Sequence, residues 1–571
     1  MIDRITKLFL LTAFAICTVS FAANTPRLEE KVRELVLDNG LKIVVVERHA
    51  APVFFSLISF RVGSTIEEIG SSGLSHFMEH MLFKGTEKLG TTNFKKEIPL
   101  MAKLEASGKQ MRNLQVGIQP WRFKMFEEYV VELKKNLTPE QREKFGSDEA
   151  STWKTVSDLL PKEISDLPQD WQDSPWIIKV DDNNYWENYL DVIELRSKIA
   201  ELLTEQREYI FQTELDAVYD ENGAQMLNAG TSYDMTTYMV GLPSNCLDLW
   251  VYMESDRFKN PVFREFYSER EIVQEELLGR LNSPRGILFA NMMQTAFVAH
   301  PYGRPIIGWR EDLKLTLRSE MEEHYRKYYA PNNCQITIVG DVDTDHVFKL
   351  MKKSFSSWKA GEVAHQVTVI EPEQIGEKRM AVEFKSEPSM MIGYHIPTAP
   401  HPDNYALQMM DMVLTSGRTS RLYKSIYEKG QLTGRPPYTY LGPGDRYAAL
   451  FLFGASPNSN HSVEEVEQAI YAEIDKLKTE LVSENELKRM HNQHQNWQLQ
   501  RMRSNQWLAF SLSGGFLDRG DWRAILDDYD RLMKVTPEDI KRVANKYFKK
   551  KNRTVAFIVK PEEDITEDVQ Q

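Results

Sequence analysis

The chain has 571 residues, a formal net charge of −13 and 42% hydrophobic residues, enough for two or more domains with ample cores. The acidic balance argues against a nucleic-acid surface. Three cysteines in such a length exclude a disulfide framework.

Residues 1–22 read as a secretory signal peptide. Arg4 and Lys7 form a basic start, residues 8–19 an apolar run too short for a membrane span, and Ser20-Phe21-Ala22 a small-residue cleavage site. The alternative is an uncleaved N-terminal anchor. Ile16 before Cys17 does not suit a lipoprotein. No later segment holds eighteen consecutive apolar residues, so no stable membrane span is expected once the leader is gone, and the protein is expected in the periplasm or outside the cell. Cys246 and Cys334 sit among apolar neighbours and read as buried free thiols, with a bridge between them as the alternative in an oxidising compartment.

Leu35-Val36-Leu37, Asp38-Asn39-Gly40 and residues 41–46 predict a β-hairpin on an Asn-Gly turn. Residues 53–62 predict another strand. Gly70-Ser71-Ser72-Gly73 then predicts a turn and a helix start. On that helix lies His76-Phe77-Met78-Glu79-His80. Two histidines four residues apart share a helix face and can reach one tetrahedral metal at about 2.0–2.1 Å. From Glu79 a carboxylate can take the proton of a water on the same metal. The bland alternative is a surface helix carrying two histidines. With only 12 His in the chain, a chance H-x-x-E-H is a rare event, so the metal reading is preferred.

From Lys96 to Glu214 the character changes. Phe123, Phe126, Val130 and Leu133 recur at helical spacing, and Thr138-Pro139-Glu140-Gln141 reads as a capped helix start. Val192, Leu195, Ile199 and Leu202 continue a heptad-like stripe. Trp121, Trp153, Trp171, Trp176 and Trp186 mark the stretch as folded. A helical insertion over about 100–210 is expected, either a surface elaboration or a partner-binding or lid element. Beyond it, Glu269 and Glu276 lie seven apart on one face of an acidic helix, while Glu275 points about 100° away. Taken alone, that stretch reads as a solvated acidic face.

The second half repeats the first in outline. Residues 390–396 predict a strand and 404–414 a helix ended by Ser416-Gly417. Laid on Gly85, Gly417 puts Gln408, Asp411 and Met412 where His76, Glu79 and His80 lie, so the second copy keeps the fold and lacks the metal chemistry. Residues 372–378, polar and Gly/Pro-bearing, read as linker. Thr536-Pro537-Glu538-Asp539 caps a last helix, and residues 554–559 form a final strand.

The run from His76 to Thr86, through Met81-Leu82-Phe83-Lys84-Gly85, resembles the signature of the insulinase/pitrilysin-type zinc metallopeptidases, especially the mitochondrial-processing-peptidase branch. Its core is the inverted form of the zincin H-E-x-x-H. His300-Pro301-Tyr302-Gly303-Arg304-Pro305 and Tyr328-Tyr329-Ala330-Pro331-Asn332-Asn333 resemble the same family. The resemblance implies an α+β fold: two homologous metallopeptidase-type domains, each an antiparallel or mixed sheet plus helices, facing a cavity. The zinc-bearing domain would span 27–365, including the insertion, and the second domain 366–571.

The resemblance also implies a zinc-dependent endopeptidase that cleaves peptides or unfolded segments. One Zn²⁺ per chain would sit on His76, His80 and Glu276, with Glu79 as catalytic base and Glu269 as a supporting carboxylate. The spacing from His80 to Glu276 exceeds that of the family, and the surplus matches the helical insertion, which adds little closure entropy. Asn228 and Ala229 match a family segment that forms an exposed edge strand, to which substrate peptides add. In many relatives an Arg and a Tyr from the second domain support the transition state. Here Tyr427 and Gly434 stand at those positions, so either Arg421 or Tyr423 substitutes, or a second subunit supplies the pair. The expected partners are therefore a peptide substrate and a dimer mate, in the first instance a homologous non-zinc subunit. The competing readings are a catalytic subunit active only with such a partner, and a non-catalytic binding or scaffold subunit, a kind that usually loses its metal ligands.

Overall fold

A computed structural model describes residues 28–561 apart from 119, 136, 145–148, 163–184 and 363–365. The expected signal segment, Trp171 and Trp176 lie outside the described residues. Strands β1 (Val32–Val36) and β2 (Lys42–Glu47) form the expected hairpin, and Asn39 anchors its turn by donating from Nδ2 to the carbonyls of Phe355 and Trp358. β3 (Val53–Phe60) stops two residues short of the expected end. With β4 (Gln225–Thr231), β5 (Thr236–Pro243) and β6 (Cys334–Gly340) these make one sheet in the order β1-β2-β6-β3-β5-β4. Only β2 and β6 run parallel.

The second sheet holds β7 (Lys378–Glu383), β8 (Met390–Ile396), β9 (Tyr438–Gly442), β10 (Ala449–Ala455) and β11 (Arg553–Val559) in the order β7-β11-β8-β10-β9. Again a single pair, β7 with β11, is parallel. Without β1, the two orders coincide strand for strand. The expected α+β architecture of two mixed sheets with helices is the one observed.

Each sheet is covered on both faces, so its central strands read as continuous apolar runs rather than alternating ones. β3, Val-Phe-Phe-Ser-Leu-Ile-Ser-Phe, buries every residue after the first. The covering helices are exchanged between the halves. Helix α5 (Pro284–Ala296), which follows α4 (Phe266–Leu281), packs Leu288, Met292 and Met293 against Met391, Leu450 and Ile558 of the second sheet. Helix α8 (Asn505–Arg519), which follows α7 (Glu484–Arg503), packs Leu508, Ala509 and Leu512 against Val44, Val46, Phe55 and Leu57 of the first. Burying one such side chain contributes about 1.5–3 kcal/mol.

The stretch expected as an insertion is largely helical over its described residues. Its long members are α2 (Phe94–Gly117) and α3 (Tyr185–Arg207), with Pro120–Lys135 between them. Thr138 and Gln141 exchange the two bonds of a capping box. Phe123, Phe126, Trp186 and Tyr189 pack ring against ring, and Val192, Leu195, Ile199 and Leu202 are buried along α3. This core is continuous with that of the first sheet. Glu97 of α2 meets buried Arg264 at 3.0 Å, and Glu105 accepts from the Tyr267 hydroxyl at 3.1 Å. The start of the insertion is therefore part of the first half's scaffold. Cys246 and Cys334 are both buried and free. Among the described residues no helix is long and apolar enough to cross a membrane.

Candidate metal centre

Helix α1 (Leu74–Met81) carries the motif. It starts where expected but is not capped by its serines. Ser72 gives its hydroxyl to Asp312 at 2.6 Å, while the N–H groups of Gly73 and Ser75 donate to the two oxygens of Glu67 at 2.6 and 2.7 Å. Gly73 holds φ at 89°, and a Cβ there would stand 2.4 Å from the Ile307 carbonyl oxygen, so only glycine fits. Glu67 is 6% exposed; burial pushes its carboxyl up to about 7, against the pull of the Ser75 and Gly73 donors. Beyond α1, Arg264 clamps the return loop by donating to the carbonyls of Lys84, Thr86 and Leu89.

Helix α4 lies against α1, with the rings of Phe77 and Phe266 4.8 Å apart. This brings Glu276 Oε2 to 3.5 Å from His76 Nε2 and 3.5 Å from His80 Nε2. Two ligand atoms of a tetrahedral zinc with bonds of 2.0–2.1 Å stand about 3.4 Å apart, so the three atoms fit one ion. Among the described residues this is the one group of three or more His, Cys, Asp or Glu side chains gathered closely enough to hold a metal. Glu275, one residue earlier, is exposed.

Each ligand candidate is held differently. His76 is buried and its Nδ1 has no hydrogen-bond partner, so packing alone orients the ring, and burial drives its pKa down to about 4, keeping the imidazole neutral. For His80 burial acts in the same direction but is overcome. Its Nδ1 lies 2.9 Å from Glu269 Oε1, and the carboxylates of Glu269 and Glu276 lift it to about 9. Glu269 Oε2 in turn meets Lys84 Nζ at 2.6 Å. The chain Lys84–Glu269–His80 thus turns Nε2 toward Glu276, the outer-shell arrangement that fixes metal-binding histidines. Arg280 donates to Glu276 Oε1 from Nη2 at 2.6 Å and Nε at 3.1 Å, leaving Oε2 toward the histidines. The His80 contact comes first in pulling Glu276 down to about 2, and Arg280 helps.

Glu79 is half-buried, and burial raises its pKa above the ordinary carboxylate value. Its Oε2 accepts from the Thr231 hydroxyl at 2.5 Å, at the end of β4. Glu79, His80, Asn228, Ala229 and Glu269 share a cleft of about 530 Å³. Asn228 and Ala229 lie on β4, an edge strand paired on one side only, with a bulge between Gln225 and Asn228. The Ala229 N–H is occupied by the Asn228 side chain at 2.8 Å.

Arg421 pairs with Glu486 of α7 through Nε and Nη2, each at 3.2 Å. Tyr423 and Tyr427 set their rings 5.2 Å apart and tilted in a π-helical turn, and Gly434 is exposed. Five residues around the centre escaped the sequence reading: Glu67, Lys84, Thr231, Arg264 and Arg280. Arg280 follows Glu276 by four on one helix, so an i,i+4 scan would have flagged it. The other four act across the fold and leave no local pattern.

Two mixed sheets of one strand order, with a candidate metal-ligand group between α1 and α4, have the architecture expected of a metallopeptidase of this kind. The family profile described as Insulinase (Peptidase family M16) matches residues 42–107 and 204–309, passing over the insertion, and that of the Peptidase M16 inactive domain matches 316–493. The zinc protease PqqE of Helicobacter pylori is 30% identical over 339 residues, which is 58% of this chain and 76% of that one. The crystal structure of a protease from Helicobacter pylori superposes with a TM-score of 0.67 at 23% identity, covering 93% of this chain and 99% of that one. The periplasmic protease PqqL from Escherichia coli superposes with a TM-score of 0.60 at 15% identity, covering 95% of this chain and 49% of that one. The chain belongs to the insulinase family of zinc proteases, peptidase family M16.

Proposed function

We propose that this protein is a zinc endopeptidase that cleaves peptides or unfolded protein segments. One Zn²⁺ per chain would be held by His76, His80 and Glu276. The observation that carries the reading is one carboxylate oxygen 3.5 Å from each of two histidine nitrogens, beside the half-buried Glu79 that lines the cleft. When bound, zinc lowers the pKa of water to about 7 and polarises a carbonyl. Glu79 takes a proton from the attacking water and returns it to the leaving amine; its raised pKa brings it nearer the neutral range, where a base of this kind works best. Thr231 fixes the carboxylate while leaving Oε1 open. Glu269 orients His80. The free edge of β4 binds the peptide main chain, with the Asn228 side chain releasing the Ala229 N–H as the added strand takes its place.

A second reading has the chain active only beside a homologous non-zinc subunit. The pairing of Arg421 with Glu486 favours it, since that guanidinium is already engaged. The intact ligand set counts against a pure scaffold. The leader at 1–22 supports export to the periplasm or beyond. The test is metal analysis combined with hydrolysis of quenched fluorescent peptides, by the chain alone and with a homologous subunit titrated in. One zinc per chain with hydrolysis by the chain alone supports the first reading; hydrolysis only with the subunit supports the second. A metal-free chain that cleaves nothing under either condition overturns both.

A further inference from the structure

A second cavity, of about 600 Å³, lies where the two halves meet. We infer that it is a side-chain subsite of the peptide-binding site, selecting a bulky apolar residue that has an acidic neighbour. The inference rests on the peptide-binding reading of the metal centre and names its substrate class.

Position comes first. The cavity adjoins the centre at two points. Arg280, in its wall, is the residue hydrogen-bonded to Glu276. Tyr233, also in its wall, follows by two residues the Thr231 that holds Glu79. The cleft with Asn228 and Ala229 shares no lining residue with it. A peptide strand laid along β4 past Glu79 therefore has both the cleft and this cavity within reach.

Chemistry comes second. Leu277, Met293 and Ile307 are almost fully buried around it, and Tyr440 adds an aromatic wall. Its volume lies in the range of pockets that enclose small ligands and exceeds what one large side chain needs, leaving room for the flanking main chain. The polar lining is cationic: Arg280, Arg285 and Arg304 all border it, and no carboxylate does. Arg280 is answered by Glu276, and Arg304 donates to the Glu67 carbonyl at 2.9 Å, whereas Arg285 is exposed to solvent. An apolar side chain fits the wall, and a carboxylate one position away meets Arg285.

The third point is the origin of the walls. Met391, Tyr438 and Tyr440 come from the second sheet, the last two from its free edge strand β9. Tyr438 is 40% exposed at the mouth. The second half, which carries no metal ligands, would thereby read the substrate.

The test uses the full-length Glu79→Gln protein, so that binding is read without turnover. Fluorescein-labelled decapeptides carrying Phe, Leu, Ala or Lys at one position, with Asp or Lys beside it, are titrated by fluorescence polarisation. Phe and Leu with Asp should bind at least about tenfold more tightly than Ala with Asp, since one missing methylene in an apolar pocket already costs about that factor. Ala290→Trp, which fills the cavity, should abolish that preference, and Tyr440→Ala should weaken it. Arg285→Glu should keep the apolar preference and reverse the neighbour preference from Asp to Lys. Thermal melting of each variant checks folding. Apolar preference unchanged in both folded Ala290→Trp and Tyr440→Ala overturns the subsite. The wild-type chain assayed on the same peptides separates the two readings. Cleavage with no dependence on these variants sinks the subsite and leaves the peptidase; variant-dependent binding with no cleavage does the reverse.

Discussion

The two halves of this chain share one strand order and differ in what they place at equivalent positions. Helix α6 (Pro402–Thr415) stands in the second half where α1 stands in the first. It offers Gln408, Asp411 and Met412 in place of His76, Glu79 and His80. Ser283 and Ser504 cap α5 and α8 in the same way. Aligned on those caps, Trp497 replaces Glu276, and Arg501 replaces Arg280. Arg280 bonds its carboxylate; Arg501 lies over the Trp497 ring at 3.5 Å from its centroid. Asp411 remains a half-buried acid, raised to about 6 by desolvation, with one oxygen buried and unpartnered. The second half shows that this fold closes without the ligand set. The metal centre is laid on a scaffold that does not depend on it, which is why function must be argued from the site.

Five substitutions move the first half toward the second or sharpen the contrast. Glu79→Gln removes the proposed base alone. It should lower peptide turnover by about 10²–10⁴ while metal content and melting stay unchanged; a variant retaining more than a few per cent of wild-type turnover would place the base elsewhere. Glu276→Gln should strip zinc at neutral pH, whereas Glu275→Gln, on an exposed neighbour, should not; metal analysis after dialysis reads the difference, and equal loss in both would undo the assignment.

Glu269→Gln tests the outer support. It should weaken zinc affinity by about 10–100-fold without removing the ion at saturating metal, measured by chelator competition. A further effect falls on stability rather than on the metal and concerns the helix caps. His401 caps α6 through its ring, whereas buried Glu67 caps α1. The folded-state pKa of Glu67, about 7, lies above its ordinary 4.5. Its contribution to stability is therefore full below about 4.5 and is lost as pH rises through about 7. Glu67→Gln should gain on wild type across that window, by an amount on the order of 3 kcal/mol. Urea midpoints from pH 4 to 8 measure it, and a difference that does not vary with pH would show that Glu67 does not titrate there.

Much of this was legible from residues that act locally. The Asn39-Gly40 turn, the motif helix and the strand at 390–396 each follow from a pattern within a dozen residues. The helical phase of Glu269 and Glu276 was equally legible, since it depends only on 3.6 residues per turn. What escaped was tertiary. Thr231 reaches Glu79 across 152 positions, and Glu67 displaces serines that local rules favoured as caps. The exchange of α5 and α8 was hidden for the same reason. Each reads as an apolar helix, and nothing in its own sequence says which sheet it covers.

That exchange has a consequence for how the chain is made. The last strand of the first sheet, β6, ends at Gly340, but the helix that shields one face of that sheet does not begin until Asn505. At about 5–20 residues per second, a ribosome needs about 8–33 s to synthesise the intervening segment. Through that interval Val44, Val46, Phe55 and Leu57 present an uncovered greasy face on a nascent polypeptide. The nascent chain carries this vulnerability until α8 has been made.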